Sequence, residues 1–214
     1  MPMILQFAAI LALTAMLGST LHAEDGVFIV TGFKAFDGRG KNGSETIVNA
    51  LRQDPAFATV TFKILEVAWG PAGQFCADLK KDGKIRGIIG IGEGFPNVVT
   101  IEMYGRNTAN GKDVTGVEKN QEPIDAGAPA MLHSRMRYAI SDQVAYDLPL
   151  VINNNAGDYL CNFVLFHFNG LAVPVSGFVH VPPQGEVADD RYVKMVEPLV
   201  ADIVRQNLVT VAKP

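Results

Sequence analysis

"GVFIVTGFKAFDGRGKNGSETIVNALRQ", residues 26–53, is the stretch on which the fold class turns. Its first eight residues form a short apolar run stopped by Gly32, which suits a buried strand. The glycine-rich loop "DGRGKNG" follows. "SETIVNALRQ" (44–53) then reads as a helix, with Ser44 as its N-cap and Glu45 in its first turn. The same alternation continues along the chain. "VTFKILEVAW" (60–69) is a second strand, and Pro71 opens a helix that runs to about Lys81. "IRGIIGIG" (85–92), "VVTIEMY" (98–104), "LPLVIN" (148–153) and "VPVSGFVHV" (173–181) read as further strands, the last ended by Pro182-Pro183. "SRMRYAISDQVAY" (134–146) is expected to be helical. The final helix carries apolar residues at 192, 195, 196, 199, 200, 203 and 204, one buried face, with Pro198 expected to kink or break it near Lys194. Strands alternating with helices imply an α/β sheet covered on both faces, whose sites form beyond the carboxyl ends of strands.

The bulk numbers agree with one domain. The chain has 214 residues, 48% hydrophobic and 19% charged, enough to bury a substantial core. A net charge of −4 argues against binding nucleic acid or an anionic membrane. Residues 1–23, "MPMILQFAAILALTAMLGSTLHA", contain no Lys, Arg, Asp or Glu and read as a signal peptide ending at Ala23. That makes residues 24–214 a single exported α/β domain, periplasmic or secreted, with no membrane attachment once the leader is removed. An uncleaved anchor or a downstream start are the other readings, and without a working leader the protein is cytoplasmic. Residues 105–130 are polar and aperiodic, which suits a functional loop or an oligomer contact. Asn42-Gly43-Ser44 is a formal glycosylation sequon.

Chemistry concentrates in "NNNAGDYLCNFVLFHF" (153–168), where one of only two cysteines follows a turn at the mouth of a helix. A helix N-terminus lowers a thiol's pKa. Of the histidines past the leader, His167 lies six residues further along the same helix, about 240° around it, and points elsewhere. His133 sits beside the irregular segment and is expected at the surface. His180, near the carboxyl end of its strand, is placed to face Cys161. Glu102 closes an otherwise apolar strand, and a buried carboxylate needs a partner. Cys161 as nucleophile, His180 as base and Glu102 as orienting acid make a Cys-His-acid arrangement. The bland readings stay open: Cys161 in the core, His180 a satisfied strand-end histidine, Glu102 paired with Arg106. Cys76 and Cys161 leave a disulfide open, since spacing does not decide it. The histidines and cysteines are too dispersed for a metal site, and "GIGEG" (90–94) is no dinucleotide fingerprint, so neither metal nor cofactor is expected.

Four blocks, "VTGFKAFDG" with "KNGSETIVNAL", "VTIEMYGRN", "NAGDYLCNF" and "GFVHVPP", resemble in order and context those of the pyroglutamyl peptidase I (pyrrolidone-carboxylate peptidase) family of cysteine peptidases. The resemblance covers nearly all of residues 27–207. It implies a single-domain, three-layer α/β/α fold with a twisted mixed sheet, phosphorylase/hydrolase-like. It also implies hydrolysis of N-terminal pyroglutamyl residues from peptides by Cys161, His180 and Glu102 through a thioester. By the same resemblance, Phe33, Phe36 and Tyr159 line the pocket for a flat, uncharged lactam, and the turn at Gly92 offers it backbone groups. Lys112, ten residues after Glu102, stands where relatives carry a basic residue near the oxyanion, and the Cys161 N–H is a second donor. The chain departs from the pattern at Ala35, where "GFKAF" lacks the proline of the usual "GFxPF". A homo-oligomer is left open. The other readings are a pyroglutamyl-peptide binding protein without turnover, and one regulated by a Cys76–Cys161 disulfide.

Overall fold

Alternating apolar strands and amphipathic helices assemble into one six-stranded sheet with helices on both faces. The computed structural model describes residues 26–139 and 146–211; the expected leader and residues 140–145 of the expected helix 134–146 lie outside them. The elements, in chain order, begin with β1 (Val27–Phe33), α1 (Gly43–Gln53), β2 (Val60–Leu65), α2 (Trp69–Lys81) and β3 (Ile85–Glu93). Then come β4 (Val99–Glu102), β5 (Tyr104–Arg106), β6 (Ala109–Lys112), β7 (Glu118–Glu122), β8 (Met131–His133) and β9 (Leu150–Asn153). The chain closes with α3 (Leu160–Asn169), β10 (Val175–Val181) and α4 (Asp189–Val211).

The main sheet runs β2-β1-β3-β10-β4-β9. β2, β1, β3 and β10 are mutually parallel, β4 is antiparallel to β10, and β9 is parallel to β4. Strand alternation sends one set of side chains to each helical layer. Phe28, Val30, Ile89, Ile91, Val179 and Val181 pack under α1 and α4. Ile29, Phe33, Ile88 and Phe178 pack under α2 and α3 with Leu79, Val164 and Phe168. His180 shares the parity of Phe178 and so faces the α2/α3 layer, the layer that carries Cys161.

Three local expectations change. The N-cap of α1 is Asn42, not Ser44: Asn42 Oδ1 accepts from the Ser44 N–H at 2.9 Å. Ser44 is buried in the first turn, where its Oγ accepts from the Phe33 N–H and ties the helix to the end of β1. Residues 134–139 are not helical, because their backbone groups have better partners elsewhere. The Arg135 N–H donates to Ser176 O, the Arg137 N–H to Asn207 Oδ1 and the Ala139 N–H to Gln206 Oε1. Helix α4 continues unbroken through Pro198. Both Pro198 and Lys194, whose carbonyl loses its partner, are exposed, so water can replace the missing bond.

The aperiodic excursion after β4 folds as two small antiparallel ribbons, β5 with β8 and β6 with β7. One buried side chain fastens it to the helix that bears Cys161. Asn162 accepts from the Arg106 N–H at 2.8 Å and donates to the carbonyls of Arg106 and Thr108 at 2.9 and 2.8 Å. Asp113, in the β6–β7 turn, accepts from the Trp69 N–H and caps α2, which has no side-chain cap of its own. Replacing Asn162 with Ala leaves the Arg106 N–H and the Thr108 carbonyl without this partner, while the Arg106 carbonyl keeps the Thr108 N–H. The substitution is expected to lower stability by about 2–4 kcal/mol, read from the urea midpoint of unfolding.

Candidate active site

Cys161 is the second residue of α3, after a turn that uses Gly157 at φ +82. The first turn of a helix has free N–H groups and the positive end of its dipole, so negative charge developing on a bound carbonyl oxygen is favoured there. The sulfur lies over β3. A Cβ on Gly92 would come within 2.8 Å of Cys161 Sγ, so only glycine leaves room for it. A Cβ on Gly94 would come within 2.6 Å of His180 Cβ.

His180 sits in β10 between Gly92 of β3 and Thr100 of β4. Glu102 pairs in register with Phe178, two residues back, so it meets His180 as a diagonal neighbour on the same face. His180 Nδ1 lies 2.8 Å from Glu102 Oε1. With Nδ1 donating there, Nε2 is left for Cys161, which is within hydrogen-bonding reach of the ring. Glu102 is wholly buried. It also accepts from Thr100 Oγ1 at 2.6 Å and from Asn153 Nδ2 at 3.1 and 2.9 Å. Burial alone would raise its pKa, but the bonds from His180, Thr100 and Asn153 hold it below the usual carboxylate value. Burial likewise works against the charged form of His180. The hydrogen bonds and charges of Cys161 and Glu102 outweigh it, and push the imidazole up to about 9. Arg106 does not compete for Glu102; its guanidinium donates to Gly157 O at 2.9 Å.

Sulfur and imidazole open on a cavity of about 180 Å³, lined also by Phe33, Phe36, Tyr159, Asn42 and Glu93. Tyr159 is held edge-on against Trp69, centroids 5.2 Å apart, and its hydroxyl donates to Lys112 O at 3.0 Å. Two expected residues stand differently. Gly92 lies beneath the sulfur and is not part of the cavity wall. Lys112 lines an adjoining cavity of about 300 Å³, on the other side of Phe36 and Tyr159. Its carbonyl accepts from the Tyr159 hydroxyl at the end of β6, and Lys112 is not among the residues lining the space before Cys161. Asn42 is almost fully buried as a helix cap that also donates to Lys34 O, which leaves the sequon nitrogen inaccessible in the folded chain. Cys76 and Cys161 are both free; Cys76 lies on the buried face of α2, where burial pushes its thiol up to about 12.

The sequence pattern of the family described as pyroglutamyl peptidase matches residues 27–212. This chain belongs to the pyroglutamyl peptidase family. The pyrrolidone-carboxylate peptidase of Pyrococcus furiosus is 30% identical over 168 residues, covering 72% of this chain and 79% of that protein. The pyrrolidone-carboxylate peptidase of Halalkalibacterium halodurans is 28% identical over 174 residues, covering 76% and 86%. An X-ray structure of pyrrolidone carboxyl peptidase from P. furiosus shares the fold, with a TM-score of 0.69 at 24% identity over 86% of this chain and 99% of that one. A single α/β domain with a mixed sheet is thus common to this chain and that member of the pyroglutamyl peptidase family.

Three groups that serve the site were not singled out from the sequence. Asn153 and Thr100 hold Glu102, and Glu93 lines the cavity. Asn153 carried a signal of the same kind as Glu102, a polar residue ending an apolar strand.

The His180 shift has a consequence for stability. A base whose folded pKa of about 9 exceeds its ordinary 6.5 contributes stability that is whole below about pH 6.5 and is lost as pH rises toward 9. The urea midpoint should therefore fall between about pH 7 and pH 9, and this fall should flatten in His180→Asn.

Proposed function

We propose that the chain is a cysteine peptidase that removes an N-terminal pyroglutamyl residue from peptides. The observation that carries the reading is His180, bonded to Glu102 on one side and within reach of Cys161 on the other, at the wall of a small aromatic cavity. Membership of the pyroglutamyl peptidase family supports the substrate class. The cavity suits it as well: Phe33, Phe36 and Tyr159 give apolar faces for a flat lactam, and its polar edge meets few groups.

In this reading Cys161 attacks the pyroglutamyl carbonyl as a thiolate, with His180 as the imidazolium partner. The oxyanion forms at the N-terminus of α3, where the free N–H groups of the first turn stabilise it. His180 gives its Nε2 proton to the leaving amine, and the C–N bond breaks to leave a thioester on Cys161. A water then gives a proton to His180 as it attacks the thioester, the C–S bond breaks to release pyroglutamate, and the Cys161 thiolate and His180 imidazolium are restored. Glu102 keeps the imidazole in the tautomer with hydrogen on Nδ1 and stabilises its cation.

Purified protein should release a fluorophore from a pyroglutamyl-amide substrate in mild reductant, and leave a prolyl-amide intact. Cys161→Ala should reduce release to background. Glu102→Gln should lower kcat by about 10²–10⁴-fold. Tight calorimetric binding of pyroglutamyl peptides with no turnover by fully reduced wild type would overturn hydrolysis in favour of a binding protein. Export through residues 1–23 belongs to the same proposal and is supported by their uncharged, apolar sequence. N-terminal sequencing of secreted protein should begin at Glu24; a retained leader on cytoplasmic protein refutes export.

A further inference from the structure

The loop between β1 and α1 supplies Phe36 to the cavity wall, yet it has little to stiffen it. Its central residues Asp37 and Gly38 have φ +57 and +69, and the Arg39 N–H donates to Phe36 O at 3.1 Å. Two successive positive φ angles closed by an i to i+3 bond make a tight primed turn, which sets residues 36 and 39 side by side. Ala35 provides none of the restraint a proline would.

Arg39 fills that gap. Its guanidinium carbon stands 4.2 Å from the centre of the Phe36 ring, and its Nη1 is 2.6 Å from Glu93 Oε2. Glu93 is a rigid anchor. Its side chain is only 5% exposed, and its other oxygen accepts from the N–H of Gly43 at 2.6 Å and of Gln184 at 3.0 Å. The first of these is the start of α1, and the second lies just past β10. The planar cation therefore links the partly buried Phe36 ring, which also packs against the α2/α3 layer, to a carboxylate buried between two elements of the scaffold.

We propose that Arg39 is a positioning residue that holds Phe36 against the substrate cavity through a stack on the ring and an ion pair with Glu93. Its effect on catalysis rests on the peptidase reading above; its effect on the loop does not. A lysine in its place keeps the charge for Glu93 but has no flat face to lay on the ring, so it should not substitute fully.

The test uses Arg39→Lys, Arg39→Met and Phe36→Ala in the full chain, with two readouts. The first is the rate of endoproteinase Lys-C cleavage after Lys34 and Lys41, read by mass spectrometry. Arg39→Met should speed it at least threefold, whether or not the protein is a peptidase. The second is steady-state kinetics on a pyroglutamyl amide. Arg39→Lys and Arg39→Met should raise KM about fivefold, the scale of one lost contact of this kind, with kcat within twofold. In a Phe36→Ala background the same changes should leave KM unmoved. Unchanged cleavage by Lys-C overturns the clamp. Wild-type KM in Arg39→Lys, or an undiminished rise in the Phe36→Ala background, overturns the positioning of substrate. Accelerated cleavage in a protein whose wild type shows no turnover retains the clamp and rejects the peptidase reading. Should Arg39→Met fail to fold, Arg39→Gln carries both readouts, since it retains a donor for Glu93 without charge and adds no lysine to the loop.

Discussion

The site depends on a carboxylate that water cannot reach. Burying Glu102 in its charged form costs several kcal/mol unless bonds replace its hydration, and here they come from His180, Thr100 and Asn153. Those donors lie on β10, β4 and β9, three adjacent strands. Register is thus part of the chemistry. Sliding β4 by one residue would turn Glu102 to the α1/α4 face, among Val179, Val181 and Val196, with no partner at all. The apolar packing that enforces the register is therefore what makes an ionised carboxylate tolerable beside the imidazole.

The nucleophile is placed by a second constraint, the close approach of α3 to β3. The helix can bring Cys161 down to the sheet because Gly92 offers no side chain, and the same strand leaves Gly90 beneath the ring of Phe178. Phe178 in turn lies against His180, ring centres 4.9 Å apart. Bare backbone on one strand thus lets sulfur, aromatic ring and imidazole crowd into one layer. The excursion after β4 supports this from outside, through Asn162 and through the Tyr159 hydroxyl on Lys112.

Much of this could be read from residue order, and the exceptions have physical causes. Apolar runs of strand length between helical patterns gave the α/β class, and the polar ends of "VTIE" and "GFVH" pointed to Glu102 and His180. The rule behind that choice, that sites gather at carboxyl ends, holds for β10 but not in the same sense for β4, which runs the other way and meets His180 diagonally. Strand polarity is set by tertiary pairing and leaves no local trace. Ser44 lost the capping role to Asn42 because two residues of the preferred type stood two apart, and the tie to Phe33 decided between them. Residues 134–139 carried helical spacing, but unpaired carbonyls on β10 and amide side chains on α4 offered them partners first. Lys112 lies at the end of β6 beside an adjoining cavity, a position that the β6–β7 pairing sets and spacing from Glu102 does not reveal. The interplay of Glu93 with Arg39 was invisible for the same reason as strand polarity: 54 residues separate them.

The sheet order has a further effect on how the molecule comes into being. β3 and β4 are consecutive in the chain, yet β10 lies between them. A nascent chain that has emerged only as far as α3 already presents Ile88–Gly92 and Val99–Glu102, but it has no strand to join the two halves of the sheet. The central insertion waits for Val175–Val181, made more than 70 residues after β4, and that strand also delivers the imidazole. Partial translation products therefore expose two open, apolar sheet edges that invite mispairing, while none of them can assemble a working centre. The centre forms only when β10 closes the gap.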